Sequence, residues 1–197
     1  IHYGVNEQGE IDYKQLKVLA KKHKPKMIIA GFSAYSQVVD WKYVAAVAKE
    51  VGAYFLADMA HVSGLVATGI YPSPIPHADI VTSTTHKTLR GPRGGMILSK
   101  SSEMGKLINR SVFPGMQGGP LMHVIAAKAV CFKEAMSPEF VLYQERVVAN
   151  AQVMARHFIS EGFNVISGVP QCHMFLLSLD GKGVNGHEAQ ILLERVG

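Results

Sequence analysis

The sequence is poor in the residues that define several classes of protein. Cysteine occurs only twice in 197 residues, at Cys131 and Cys172, without a pairing pattern or metal-ligand spacing. That excludes a disulfide framework and makes a reducing, cytoplasmic compartment the expectation. Aromatic residues make up 8 % of the chain, and its 20 Lys and Arg against 15 Asp and Glu are dispersed. A stripe of cations interleaved with aromatics, as nucleic-acid binding wants, is therefore missing. The densest basic run, Lys21-Lys22-His23-Lys24, closes a helical pattern, where cations complement the helix dipole. No apolar run reaches membrane-spanning length, and no secretory signal is expected at the start. There is no His-Glu-x-x-His, and no glycine-rich loop leads into Gly-Lys-Ser/Thr, so a metal site and a Walker-type loop are not expected. Ser33 has no glycine two residues after it, which removes the nucleophile-elbow reading. Neither repeats nor low-complexity segments occur.

What is present is apolar bulk. With 48 % hydrophobic and 18 % charged residues, the chain can bury a substantial core as one large domain or one and a half. Helical spacing over residues 11–24 stops at Pro25, and a second helix over 40–51 has Asp40 as N-cap and Gly52 as its stop. Met27-Ile28-Ile29-Ala30, residues 53–57, Ala78-Asp79-Ile80-Val81 and Gly95-Met96-Ile97-Leu98 read as buried strands. This alternation predicts an α/β fold: a mainly parallel sheet flanked by helices. Two long amphipathic helices are expected over 120–136, with Pro120 at the first helical position, and over 137–162. Short strands near 164–166 and 175–179 and a last helix from Gly186 follow. A large unit over 1–135 and a connecting helix with the start of a smaller C-terminal α/β unit over 136–197 are the expected division.

Open sheets bind ligands at the C-terminal ends of their strands, and Ser33, Asp58, His61 and Lys87 all fall there. Lys87 follows a hydroxyl run, Thr82-Ser83-Thr84-Thr85, and precedes Gly91-Pro92-Arg93-Gly94-Gly95. Desolvation and the neighbouring cations His86 and Arg93 would lower its pKa and supply a neutral amine for Schiff-base chemistry. Asp58, a carboxylate after an apolar strand, suits a protonated ring nitrogen, as an Asp does for pyridoxal phosphate; the plainer reading is a helix N-cap over Met59-Ala60-His61. His61 lies on the same side of that turn. Gly115-Met116-Gln117-Gly118-Gly119-Pro120 precedes a long helix, where free N–H groups can form an anion site; the plainer reading is an ordinary flexible cap.

Four blocks now stand in one order: 31–36 (Gly-Phe-Ser-Ala-Tyr-Ser), 58–65 (Asp-Met-Ala-His-Val-Ser-Gly-Leu), 84–95 (from Thr84 through Lys87 to Gly95) and 113–120 (Phe-Pro-Gly-Met-Gln-Gly-Gly-Pro). Together they resemble the serine hydroxymethyltransferases, pyridoxal-phosphate enzymes of fold type I, and most of all the bacterial ones, over nearly the whole chain. The resemblance implies that Lys87 holds the cofactor covalently and that Asp58 keeps its pyridine nitrogen protonated. It implies that His61 and Ser33 bond near the phenolic oxygen and the substrate. Thr84 and His86 flank the lysine, with His86 shaping reaction specificity, and Arg93 organises the site beside it. Gly118 and Gly119 would meet the cofactor phosphate of a neighbouring subunit, making a shared site in a homodimer or a tetramer of dimers. The implied substrates are L-serine or glycine with tetrahydrofolate. Met116 stands where many relatives carry glycine, and Cys172, before His173, where they carry a polar residue. The family's N-terminal histidine and C-terminal substrate-clamping arginine have no counterpart here. A piece of a longer protein, binding cofactor weakly and not turning over alone, is therefore expected. The alternatives are a related lyase, such as a threonine aldolase, or a catalytically silent dimerisation piece.

Overall fold

The computed structural model describes all 197 residues. Asp12 caps α1 (Tyr13–His23) by accepting from Gln15 N at 2.9 Å, and the chain leaves the helix through Lys24 at φ 43°, just before Pro25. Asp40 does the same for α2 (Trp41–Val51), accepting from Tyr43 N at 2.9 Å, with Gly52 closing it in the left-handed conformation. Strands β1 (Met27–Gly31), β2 (Tyr54–Asp58), β3 (Ile80–Thr84) and β4 (Gly95–Leu98) form one sheet in that order. The first two pairings are parallel and β4 is antiparallel to β3, with Thr84 opposite Gly95. The mainly parallel α/β architecture is thus present.

The core lies between one face of this sheet and helices α1 and α2. Ile28, Ala30, Phe55, Ala57 and Val81 alternate inward and meet Leu16, Ala20, Trp41, Val44, Val47 and Ala48. The opposite face of β1 is open, with Ile29 58 % exposed, so that strand is buried on one side rather than on both as its apolar run implied. Strand β3 begins two residues later than expected. The hydroxyls Thr82, Ser83 and Thr84 belong to the strand, where β-branched threonine fits the pleat.

Short α3 (Ser63–Ala67) and α4 (Ser102–Arg110), and a π-helical turn over Ser111–Met116, carried no periodic signal long enough to foresee. Helix α5 (Met122–Ala135) starts with Leu121 as its N-cap; Pro120 lies outside it rather than at its first position. Ser137 caps α6 (Pro138–Ser160), accepting from Phe140 N at 3.2 Å, with Pro138 in the first turn. No helix is long and apolar enough to cross a membrane.

Beyond α6, β5 (Asn164–Ile166) and β6 (Leu176–Ser178) pair antiparallel, and α7 (Gly186–Glu194) opens with a capping box between Asn185 and Glu188. The link between these strands is stitched to the loop after β1. Gln37 Nε2 donates to Ser167 O at 2.7 Å, Gln171 N to Ser36 O at 2.8 Å, and Val38 N to Gln171 Oε1 at 2.8 Å. Cys172 is fully buried in the main core. This stitching carries His173 to the strand ends.

Candidate active site

Parallel pairing sets the site's frame, because it brings the C-terminal ends of β1, β2 and β3 to one edge. Gly31 stands opposite Asp58, and Asp58 opposite Thr82. A Cβ on Gly31 would come within 2.5 Å of Asp58 O, so glycine is what lets β1 approach the aspartate this closely. Asp58 does not cap a helix. Its Oδ1 accepts from Ala60 N at 2.9 Å in a short turn, while α3 starts five residues on. Oδ2 takes part in no hydrogen bond or ion pair within the chain.

His61 leaves that turn half-buried, its ring nearly parallel (19°) to the ring of His173 with centroids 6.3 Å apart. Burial lowers its pKa from the ordinary imidazole value, and the Lys87 ammonium lowers it further, while Asp58 pulls the other way. For His173, burial and then His61 push the value down to about 4. Both rings are therefore neutral near neutral pH. His173 Nδ1 is buried without a partner, and so is Thr84 Oγ1.

Lys87 follows β3 by three residues. The backbone of its loop is tightly held: Thr85 N donates to Gly94 O at 3.0 Å, Gly91 N to Thr85 O at 2.7 Å, and Arg90 N to Lys87 O at 2.8 Å. The lysine side chain itself is exposed, without a hydrogen bond or ion pair within the chain. The desolvation foreseen for it is not supplied by these residues, because no element of the chain covers the lysine side chain. His86 faces the Gly-Pro-Arg-Gly loop. Arg93 Nη1 and Gly94 N both lie 3.3 Å from its ring nitrogens, and a neutral imidazole can accept from only one of these donors.

Asp58, His61 and Lys87 thus form one cluster, with Thr84 at the end of the strand that feeds Lys87. Ser33 is exposed two residues past β1, with no side-chain hydrogen bond. Gly118 and Gly119 stand in the exposed loop before α5. Gly119 borders a hollow of about 1000 Å³ shared with Ser83, Arg93, Arg110 and Lys128, which none of Asp58, His61 and Lys87 lines. An apolar hollow of about 660 Å³ between α1, β1 and residues 1–5 is likewise separate from the cluster.

Sequence reading missed His173, Thr88 and Gln144. His173 reaches His61 only through the stitching beyond α6, and no spacing rule could signal that. Thr88 binds the lysine loop to the aspartate turn: its Oγ1 donates to His61 O at 2.8 Å and accepts from Gly64 N at 3.0 Å.

A family model described as serine hydroxymethyltransferase matches residues 1–197. The chain belongs to the serine hydroxymethyltransferase family. It is 59 % identical over 196 residues to the serine hydroxymethyltransferase of Halorhodospira halophila, covering 99 % of this chain and 47 % of that one. It is 58 % identical over 197 residues to that of Chromohalobacter salexigens, with the same coverage. Against serine hydroxymethyltransferase 2 of Pseudomonas putida it is 59 % identical over 194 residues, 98 % of this chain and 46 % of the relative. The chain spans about half the length of the curated relatives it matches. The Asp58, His61 and Lys87 cluster is its candidate active site.

Proposed function

We propose that this chain carries the cofactor-binding core of a pyridoxal-phosphate enzyme. The enzyme interconverts serine and glycine while a one-carbon unit passes to or from tetrahydrofolate. The observation that carries the reading is the convergence of an unpaired lysine amine, a carboxylate with one uncommitted oxygen and a neutral imidazole on adjacent parallel strand ends.

The residues present fit the group. A half-free carboxylate at the close of a strand matches a protonated pyridine nitrogen, and the buried, unpartnered Thr84 hydroxyl is a donor in need of an acceptor. When bound, the cofactor would supply an electron-withdrawing ring that stabilises negative charge on the substrate's α-carbon. The chain's own residues do the rest. Lys87 makes the covalent attachment and takes or gives a proton at Nζ; Asp58 holds the proton at the ring nitrogen. Neutral His61 hydrogen-bonds beside the ring, with Ser33 and Thr84 as further polar contacts. His86 and Arg93 shape the loop that carries the lysine. Gly118 and Gly119, on an exposed loop clear of Lys87, would offer N–H groups to the cofactor phosphate of a neighbouring protomer. The site is then shared in a homodimer or tetramer. We place the large unit at 1–135 and the connecting helix and smaller unit at 136–197. The two free cysteines suit a reducing, cytoplasmic setting.

With Lys87 exposed, the chain alone should bind cofactor weakly and turn over little. Titrating it with pyridoxal phosphate, reducing with borohydride and mapping the peptides tests the reading. A yellow band that becomes a stable adduct on Lys87 is expected; an adduct confined to another lysine overturns the site. If serine is cleaved, dependence on tetrahydrofolate separates this activity from that of a folate-independent lyase.

A further inference from the structure

We infer that Gln144, on α6, is a positioning residue for Lys87: its side-chain amide grips the Thr88 carbonyl and so holds the lysine loop against the turn that carries His61. The inference rests on the reading of Lys87 as the cofactor lysine and deepens it.

Gln144 is the one polar residue in the buried stripe of α6, whose other members are Phe140, Ala151 and Ala155. It is fully buried, and its Oε1 has no partner. Such an amide is costly at a position where an apolar side chain would pack without penalty. What it makes there is one short bond, Nε2 to Thr88 O at 2.7 Å, across 56 residues of sequence. Donation to a carbonyl fixes which end of the amide is nitrogen.

Thr88 gathers the remaining ties. Its hydroxyl accepts from Gly64 N in α3 and donates to His61 O, so contacts from α3, α6 and the aspartate turn meet on the residue next to Lys87. The approach is close enough to dictate sequence: a Cβ on Gly64 would run into the Thr88 carbonyl and lie 2.6 Å from Gln144 Nε2. Two turns further along α6, Gln152 Nε2 donates to Pro170 O at 3.1 Å, at the base of the segment that delivers His173. One helix therefore sets both the lysine loop and the imidazole pair. An anchored backbone under a free side chain suits a lysine that must keep its place while its amine is repeatedly bonded and released.

The test uses the 197-residue chain with Gln144→Leu, Gln144→Glu and, as a control at the far end of α6's packing, Val165→Ala. Hydrogen exchange is read at the Gly64 and Arg90 amides, and Lys87 adduct yield is read against pyridoxal phosphate concentration. Losing one buried hydrogen bond should speed exchange at both amides about tenfold in Gln144→Leu and weaken adduct formation about tenfold. Val165→Ala, compared at equal distance below its melting temperature, should leave both within about twofold of the unaltered chain. Gln144→Glu separates positioning from packing. As a buried acid it donates when protonated, so its adduct yield relative to the unaltered chain should recover toward about pH 6 and fall toward about pH 9. Equal exchange and equal adduct yield in Gln144→Leu and Val165→Ala would overturn the inference, as would a pH-independent ratio for Gln144→Glu. Faster exchange in Gln144→Leu, with no Lys87 adduct even in the unaltered chain, would overturn the cofactor reading and leave the positioning of the loop standing. Should Gln144→Leu not fold, the pH ratio of Gln144→Glu decides alone.

Discussion

Acidification should weaken this fold through His173 before most of its carboxylates protonate. In the unfolded chain the imidazole titrates near its ordinary value of 6.5; in the folded chain burial and the facing His61 ring push it down to about 4. Above both values neither state is protonated and the group contributes no pH dependence. Between them the unfolded state binds a proton that the folded state refuses, so stability falls as pH drops through 6.5 and levels off only below about 4. At about 1.36 kcal/mol for each pH unit the full gap corresponds to about 3.4 kcal/mol, and because the ring is only part-buried, solvent screening reduces this to about 2 kcal/mol. His61, also lowered, adds in the same direction. The assay is urea unfolding at several pH values for the unaltered chain and for His173→Leu, alongside the C2–H resonances of the histidines. The unaltered chain should lose about 2 kcal/mol more than the variant between about pH 7 and about pH 4. Parallel stability curves, or a His173 resonance that titrates at 6.5 or above, would refute the burial argument.

Three further perturbations probe the frame around the lysine. Gly64→Ala places a methyl group against the Thr88 carbonyl and the Gln144 amide, and should cost about 3 kcal/mol in urea unfolding while reducing the Lys87 adduct. Lys87→Ala removes an exposed side chain without partners, so stability should change by less than about 0.5 kcal/mol while the borohydride-stable adduct at that position disappears. Asp58→Asn keeps an acceptor for Ala60 N and should leave the circular-dichroism spectrum unchanged. An amide cannot balance a ring cation, so affinity for pyridoxal phosphate should drop at least about tenfold.

How far the sequence disclosed these features depended on the range of the interaction behind each one. Asp40 and Gly52 bracket α2 as read, because both caps are formed by residues within one turn of the helix. The end of β2 at Asp58 was legible for the same reason: an apolar run stops and polar residues begin. The end of β3 was placed too early, at Val81, because Thr82 and Thr84 look like loop residues in composition, yet pair with β2 and β4. Pro120 was read as the start of a helix from its φ preference alone, whereas Leu121 O accepts the first bonds from Val124 and Ile125. His173 and Gln144 were the least legible. Each acts through a contact made by a distant element, and its sequence neighbours do not mark it: Gln144 stands beside Glu145 and Arg146 like an ordinary surface position of a helix.

The exposure of Lys87 and the constraint on its loop serve one requirement. A lysine that forms and releases a covalent bond needs a fixed Cα, since an amine delivered from a wandering backbone would miss Asp58 and His61 by more than a bond length. It also needs a mobile Nζ, because a side chain locked by an ion pair would have to break that pair in every exchange. The chain meets the first need with backbone bonds at Thr85, Arg90 and Gly91 and with the Thr88 ties, all made without the lysine side chain. It meets the second by giving Nζ no partner among its own residues. Freezing a free lysine side chain costs roughly 1.5–2 kcal/mol of rotamer entropy. Anything that covers Lys87 and narrows its rotamers beforehand would remove that cost, so affinity for pyridoxal phosphate should rise when the exposed loop is enclosed.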